Sequence, residues 1–439
     1  MKEAQTQRNE KIYDLVFGRL KRRTLADCAV GICDEDCVFS STYPRIRDDT
    51  TALACLVAEA EAEQIFLCGG NAIQVALAIL VASLLSLPLT LAHCEAEGDR
   101  PTPFKRNDER LLMIAPSSYL KLCDKQDAFI DLNGFSAAVE GARSRGGPHT
   151  AKCGKDFSLT FAASESNDTT ACECYDEASL IFSARAFAEL SSLSTGEVTL
   201  CDLSPTTPSG AVCGLLSCLL SGGYFVSCPP PCRVSEYCPT VRPHRLLCTR
   251  AGAYEASALL QDGCSPSLPI PFTPMRREWR RITRLRRLAS SRLMLLGGEL
   301  RQVTLLGGAP PYIVSIFASS GVLCDSLLSC PSCPTAALRS YLTDRFWRVP
   351  NGILADMCAV ESGGRGIITL SGHGISMPPQ RYDIGGRTPG CFRSDEWQGV
   401  ALVTDLYGFV TPKGQISVEK RLKNEDFFKK LNNYREIVL

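Results

Sequence analysis

Between residues 10 and 95 the apolar positions alternate between helical and extended spacing. EKIYDLVFGRL and TYPRIRDDTTALACLVAEAEAE repeat their apolar residues every three or four positions, which predicts helices. EQIFLCGG is a short apolar run closed by two glycines, the pattern of a buried strand. The stretch from Ala72 to Ala92, AIQVALAILVASLLSLPLTLA, is apolar almost throughout and close to the length of a bilayer span. Gln74 and Pro88 count against a span, and the acidic exit HCEAEGD carries no positive-inside signal. A fully buried helix that breaks near Leu87-Pro88 and continues as a core strand, LPLTLA, is the better expectation, so the chain is not expected to be an integral membrane protein.

After a polar connection at 96–110, the run RLLMIAPSSYLKL resumes the apolar pattern. From Gly141 to Cys174 the chain is polar and rich in small residues, and much of it is expected to be loop. From Glu177 to Val226 the pattern reads helix (ASLIFSARAFAELSSL), strand (EVTLCDL), buried helix (GAVCGLLSCLLSGG) and strand (YFVSC), an order that favours a parallel sheet with right-handed crossovers. RLMLLGGELRQVTLLGG, 292–308, holds two apolar runs ending in Gly-Gly without the remaining spacing of a dinucleotide loop, so they are expected to be strand ends. Beyond Gly363 short, turn-rich strands follow, including a hairpin at 403–424, VTDLYGFVTPKGQISVEKRLKN. The fold class is therefore α/β, with layered sheets, flanking helices and a small β-rich part.

Composition narrows the functions. The chain has 439 residues, 45% hydrophobic and 21% charged, enough for one large multi-layer domain or several lobes. Lys plus Arg and Asp plus Glu both total 47, so no global charge draws the chain to nucleic acid or an anionic membrane. The 23 cysteines are spread behind an N-terminus, MKEAQTQRNEK, with no apolar leader core, which favours a reduced, intracellular and cytoplasmic setting. Most cysteines lie in apolar runs, where they act as small core hydrophobes. The pair Cys330/Cys333 has no second pair nearby, and Cys228, Cys232 and Cys238 have irregular spacing, so no zinc or other metal site is expected. Gly-x-Ser-x-Gly and His-Glu-x-x-His are absent, which removes support for a hydrolase triad or a zinc protease.

One charged segment stands out. MRREWRRITRLRRLASSR, 275–292, holds eight Arg, with Met275, Trp279, Ile282, Leu285 and Leu288 at helical spacing. It predicts an amphipathic helix with a strongly basic face, a solvated surface in the ordinary case. If that face is functional, Arg276, Arg280, Arg284 and Arg287 would receive an anionic surface or a protein partner.

The order of these segments resembles the large N-terminal domain of the adenylate-forming superfamily, which includes acyl-CoA synthetases, luciferase-type enzymes and peptide-synthetase adenylation domains. In that family Thr-Gly-Asp opens a hairpin that Gly-Arg-x-Lys closes; here Thr404-Asp405-Leu406 leads through Gly414 to Arg421-Leu422-Lys423. The resemblance implies that Asp405 takes the ribose hydroxyls of a nucleotide, that Arg421 assists, and that Lys423 marks an interdomain hinge. A carboxylate can accept two hydroxyl hydrogen bonds, and an Arg fork adds charged donors. The resemblance also implies a division into 1–420, α/β to about 350 and β-rich over 351–420, and a hinge with the start of a C-terminal lid at 421–439.

The departures point the other way. The family's phosphate loop, rich in Ser, Thr and Gly and ending in Pro-Lys, corresponds to LTFAASESNDTTACEC, 159–174, which has no Gly or Pro-Lys and contains Glu165 and Asp168. Ser164, Ser166 and Thr169 remain as hydroxyl donors of a degenerate loop. Where the family's Tyr-Gly-x-Thr-Glu would flank adenine and bind magnesium, the chain reads SGVLCDSLLSCPSCP. The family implies ATP or AMP with magnesium and a small carboxylic acid; these departures favour a catalytically impaired pseudoenzyme with a binding or scaffolding role. The alternative is an active acid-adenylating ligase whose lid comes from another chain.

Overall fold

A computed structural model of the chain describes residues 10–18, 27–34, 37–93, 109–145, 156–164, 170–190, 193–229, 232–249, 292–296, 313–319, 322–328, 353–372, 391–395 and 399–422, with the single residues 252, 255, 426, 429 and 430. In chain order the elements are α1 (Ile12–Gly18), β1 (Cys28–Asp34), β2 (Cys37–Thr42), α2 (Tyr43–Glu59), β3 (Gln64–Cys68), α3 (Ala72–Leu85) and β4 (Pro88–Ala92). There follow β5 (Leu111–Ala115), β6 (Ala128–Asp131), α4 (Phe135–Arg145), β7 (Ser158–Ser164), β8 (Thr170–Asp176), α5 (Glu177–Leu190) and β9 (Val198–Cys201). A π-helix, Ser209–Leu216, runs into the α-helix Ser217–Ser221, and the two together are α6; β10 (Tyr224–Ser227), α7 (Val234–Val241) and β11 (Arg245–Cys248) follow. The remaining strands are β12 (Arg292–Leu296), β13 (Ile313–Ser319), β14 (Val322–Leu328), β15 (Ile353–Cys358), β16 (Gly366–Gly372), β17 (Cys391–Asp395), β18 (Gly399–Val410) and β19 (Ile416–Arg421).

Three sheets organise these elements. One has the order β6-β5-β3-β4-β7-β8, parallel except for β8. Another runs β14-β13-β12-β11-β9-β10-β1-β2, parallel except for β2 and β14 at its edges. The C-terminal strands β15 to β19 form an antiparallel sheet. Helix α3 packs against β1 of the eight-stranded sheet and against β3 and β4 of the six-stranded one, so it is buried on every side. This explains its uniformly apolar sequence.

The start and end of α3 are written locally. Asn71 accepts from Ile73 N–H and Gln74 N–H, while Gln74 Oε1 accepts from Asn71 N–H, a reciprocal cap that satisfies the first-turn donors. Ser86, in the left-handed conformation with φ of 55°, turns the chain into β4, and Leu87 N–H donates to Ala82 O at 2.9 Å. Thus Ala72–Ala92 is a 14-residue buried helix and a strand, and among the described residues no helix is long and apolar enough to cross a membrane.

Two segments depart from the sequence expectation. Residues 158–164 and 170–176 form the paired strands β7 and β8 and not loop, because Leu159, Phe161 and Ala162 are buried by pairing of β7 with β4, a long-range gain that local composition does not carry. β18 is long, not short: its 12 residues serve β16, β17 and β19 in turn, and the pairing with β19 shifts register between Tyr407 and Gly408. Arg292, expected at the end of the basic helix, opens β12 opposite Arg245; residues 275–291 lie outside the described residues.

Lys430 is tied to the β18–β19 hairpin through Glu361 and Tyr407. Tyr407 Oη donates to Glu361 Oε2 at 2.5 Å, and Lys430 bonds the other Glu361 oxygen while its ammonium sits 4.7 Å from the Tyr407 ring centroid. The Lys430 and Tyr407 hydrogen bonds hold the Glu361 carboxyl below its ordinary range, and the Glu361 carboxylate pushes Tyr407 up to about 12. A carboxyl depressed by folding contributes stability above its unfolded pKa and loses it as pH falls through the folded one. Glu361→Gln should therefore melt at a lower temperature than the parent at neutral pH, with the gap closing below the usual glutamate range; a gap unchanged in acid would refute this.

Candidate functional site

The two parallel sheets both end on the edge where α3 begins, since β3 ends at Cys68 and the chain enters α3 through Gly69–Asn71. In layered α/β folds the crevice beyond the carboxyl ends of the strands is where ligands bind. Three chain segments meet there. β4 ends at Ala92 and delivers His93; β7 lies beside it, with Ala92 opposite Ala162 and His93 N–H donating to Ala162 O at 3.3 Å. From the other sheet, β9 ends at Cys201 and delivers Asp202, Ser204 and Thr206.

His93 Nδ1 lies 2.9 Å from Thr206 Oγ1 and 3.2 Å from Ser204 Oγ, and the two hydroxyls are 2.8 Å apart. These bonds join residues 111 and 113 positions apart and bridge the six- and eight-stranded sheets. The hydroxyl-bearing turn is shaped by its own sequence. Thr207 Oγ1 donates to Ser204 O at 2.7 Å and accepts from Gly210 N–H at 3.2 Å, and the chain then enters the π-helix, a form that recurs at functional sites. A Cβ at Gly210 would lie 1.9 Å from Ser204 O, so only glycine fits here.

Asp202 holds the neighbouring strand end. Its carboxylate accepts from Thr249 N–H at 2.6 Å and Thr249 Oγ1 at 2.7 Å, just beyond β11. Burial pushes the Asp202 carboxyl up, and the Thr249 bonds oppose that shift. Burial likewise raises the thiols of Cys201, Cys218 and Cys248, which therefore stay neutral and act as apolar packing. Among the described residues no cluster of His, Cys, Asp and Glu has the arrangement of a metal site.

Chemically, the His93 cluster offers two hydroxyls and an imidazole at the ends of β4 and β9, beside β7. Such a set suits an anionic or polar oxygen-bearing ligand.

The residues singled out in sequence fall elsewhere or only partly within this description. Ser164 ends β7; Ser166 and Thr169, with the rest of the 165–169 turn, lie outside the described residues. Asp405 lies in β18, next to Leu406, and Leu406 pairs with Arg421 of β19, so the backbone brings Asp405 and Arg421 to the same end of one hairpin. Lys423, Arg276, Arg280, Arg284 and Arg287 lie outside the described residues. Of the expected adenine segment, 320–334, Val322–Leu328 forms β14, paired antiparallel with β13, and the rest lies outside the described residues. Sequence reasoning missed His93, Ser204 and Thr206. The available signal was their position: a His directly after LPLTLA and a Ser-Pro-Thr-Thr run directly after a core strand.

Comparison with solved structures identifies the fold. VinN in complex with L-aspartate superposes with a TM-score of 0.70 at 14% identity, covering 94% of this chain and 98% of that one. The adenylation domain of a keto acid-selecting NRPS module, bound to a keto acyl adenylate, gives 0.65 at 12% identity over 94% of this chain and 82% of that one. ATP-bound MatB from Rhodopseudomonas palustris gives 0.66 at 12% identity over 94% and 78%. No protein-family model and no curated protein sequence matches the chain. The chain has the fold of the adenylate-forming superfamily.

Proposed function

We propose that this chain is an AMP-dependent synthetase/ligase-like protein that is catalytically impaired and acts by binding, with a nucleotide or small carboxylic acid as ligand of the crevice between its parallel sheets. The observation that carries this reading is the β7–β8 turn. The resemblance assigns the phosphate loop to this part of the sequence, which holds Glu165 and Asp168 and neither glycine nor lysine between Leu159 and Cys174. Adenylyl transfer needs fixed cations and N–H donors where phosphate charge develops, and carboxylates oppose it. The aspartate and keto acyl adenylate of the structural neighbours suggest the size of acid such a crevice takes. Asp405 and Arg421 are the proposed ribose contacts, Lys423 the proposed hinge, and the Arg-rich segment 275–292, through Arg276, Arg280, Arg284 and Arg287, the proposed docking face for a protein partner or anionic surface.

One observation favours a second reading, an active acid-adenylating ligase with ATP and magnesium. His93, held by Ser204 and Thr206 and adjacent to β7, offers a ring nitrogen next to the strand that the resemblance joins to the phosphate loop.

Thermal shift with ATP and magnesium, with AMP and with a non-hydrolysable acyl-adenylate mimic, run beside pyrophosphate exchange over a panel of small acids, tests both. The expected result is a stabilising shift without exchange above a protein-free blank, and loss of the shift in His93→Gln and Asp405→Ala. Robust exchange ends the pseudoenzyme reading; no shift with any of the three compounds ends the nucleotide reading.

A further inference from the structure

Cysteine recurs at the carboxyl ends of the strands on the α7 side of the eight-stranded sheet. Cys33 lies near the end of β1, Cys228 directly after β10 and Cys248 at the end of β11, and with Cys238 of α7 they share one buried cluster. Two of these thiols are neighbours. β1 and β10 pair in parallel with Ile32 opposite Ser227, so the next step along both strands sets Cys33 beside Cys228. Adjacent strands lie about 4.8 Å apart, inside the range of Cα separations that a disulfide spans.

The Cys33 and Cys228 thiols are hydrogen-bonded to each other, and that bond together with burial pushes the Cys228 thiol well up, so it stays protonated. A third thiol, Cys232, donates from Sγ to Cys33 O at 3.5 Å. Because no metal-binding group exists among the described residues, the chemistry left to this cluster is that of its thiols. The pair differs in access. Cys228 is fully buried, whereas Cys33 lines a cavity of about 700 Å³ whose walls also include Asp34, Ser40, Arg45 and Asn71. Polar walls of this kind admit water and solutes of similar size and polarity, such as hydrogen peroxide. A peroxide entering there meets Cys33 first.

We infer that Cys33 and Cys228 form a peroxide-sensitive pair that closes to a disulfide, Cys33 reacting with the oxidant and Cys228 resolving the product. The Cys33 sulfur attacks a peroxide oxygen, the O–O bond breaks, and the departing hydroxide takes the Cys33 proton as water, leaving a sulfenic acid. The Cys228 sulfur then attacks the Cys33 sulfur, the S–O bond breaks, and hydroxide leaves with the Cys228 proton as a second water. Peroxide is reduced and the two thiols are oxidised to one S–S bond. A protonated Cys228 is a poor first reagent, and its position against Cys33 supplies what ionisation does not. The disulfide would join the carboxyl ends of β1 and β10, and it does not depend on the proposed nucleotide crevice.

The full chain, reduced and then exposed to a small excess of hydrogen peroxide, is alkylated in denaturant, digested and mapped by mass spectrometry. The map should show Cys33 joined to Cys228, and dithiothreitol should restore both thiols. Cys228→Ala should abolish the link and raise the dimedone adduct at Cys33 at least about fivefold, because the sulfenic acid then has no resolving thiol. Cys37, exposed on β2 and opposite Asp34, supplies the control: Cys37→Ala should leave the link in place. The map of the parent decides by itself if the core variant does not fold. The inference is overturned if the parent shows no Cys33–Cys228 link, if Cys33 is joined to Cys37 or Cys232 in its place, if Cys37→Ala loses the link, or if the Cys33 adduct does not rise in folded Cys228→Ala.

Discussion

Replacing Glu197 with Ala should lower the stability of the folded chain by about 3–5 kcal/mol, the range found when one member of a buried ion pair is removed. Arg245, which opens β11, has a side chain only 2% exposed, and its Nη2 donates to Glu197 Oε2 at 2.6 Å. Without Glu197 a buried guanidinium charge loses this counter-ion. Ser194 N–H, which donates to Glu197 at 2.7 Å, loses its acceptor as well. Arg245→Met should cost less, because the Glu197 side chain left behind is 28% exposed and can rehydrate. Burial alone would push the Glu197 carboxyl up, but the Ser194 N–H and Arg245 outweigh it and hold it below the ordinary range. With the folded value below the unfolded one, this contribution is present above the usual glutamate range and fades as pH falls through the folded value. Urea unfolding of parent and Glu197→Ala should therefore show the gap at neutral pH and its narrowing in acid. A difference under about 1 kcal/mol at pH 7 would mean that Arg245 finds another solution.

Most of the parallel layers were legible in sequence because their elements are locally self-consistent. α3 is apolar on all faces and carries its own caps in Asn71, Gln74 and Ser86, so helix, break and following strand could be placed within a few residues. β9, α6 and β10 read as strand, helix and strand, and β10 pairs with β9 in parallel. β7 was not legible. SLTFAAS has little to mark it until it lies against PLTLA, and only that parallel pairing buries Leu159 and Phe161. The β1–β2 hairpin escaped for a related reason. CVFSST is an edge strand whose Cys37, Phe39 and Ser40 are exposed, so it lacks the apolar alternation of a half-buried strand.

The candidate site shows a sharper division. A hairpin such as β18–β19 is local, so Asp405 and Arg421 could be assigned to one end of it from the sequence, and the Leu406–Arg421 register agrees. The His93 cluster is assembled by topology. β4 and β9 belong to different sheets, and nothing in LPLTLAH predicts that its His will meet the Ser-Pro-Thr turn more than a hundred residues later. What sequence can flag is the rule that polar residues just beyond core strands face the ligand edge; applied to each strand end, it would have selected His93, Asp202, Ser204 and Thr206 together.

Asp202 closes the far end of the strand that Glu197 begins, and its removal carries the next largest expected loss. Asp202→Ala should cost about 2–4 kcal/mol, since the N–H and hydroxyl of Thr249 both lose their acceptor in a buried setting. Asp202→Asn keeps one acceptor oxygen and should cost less than half as much. The pH dependence has the opposite sign to that of Glu197. Burial raises the Asp202 carboxyl, so the folded chain holds its proton longer than the unfolded chain, and stability falls as pH rises from the unfolded value through the folded one. Asn does not titrate, so its cost relative to the parent should be greatest in acid and shrink as pH rises. Thus the four residues of β9 are bracketed by two carboxylates with opposed responses. Acid weakens the Glu197 end, where a charge must be neutralised, and relieves the Asp202 end, where the ligand edge lies. Unfolding of Glu197→Ala and Asp202→Asn across the same pH series separates the two; parallel curves would show that Asp202 is solvated and that its crevice is wetter than its 8% exposure implies.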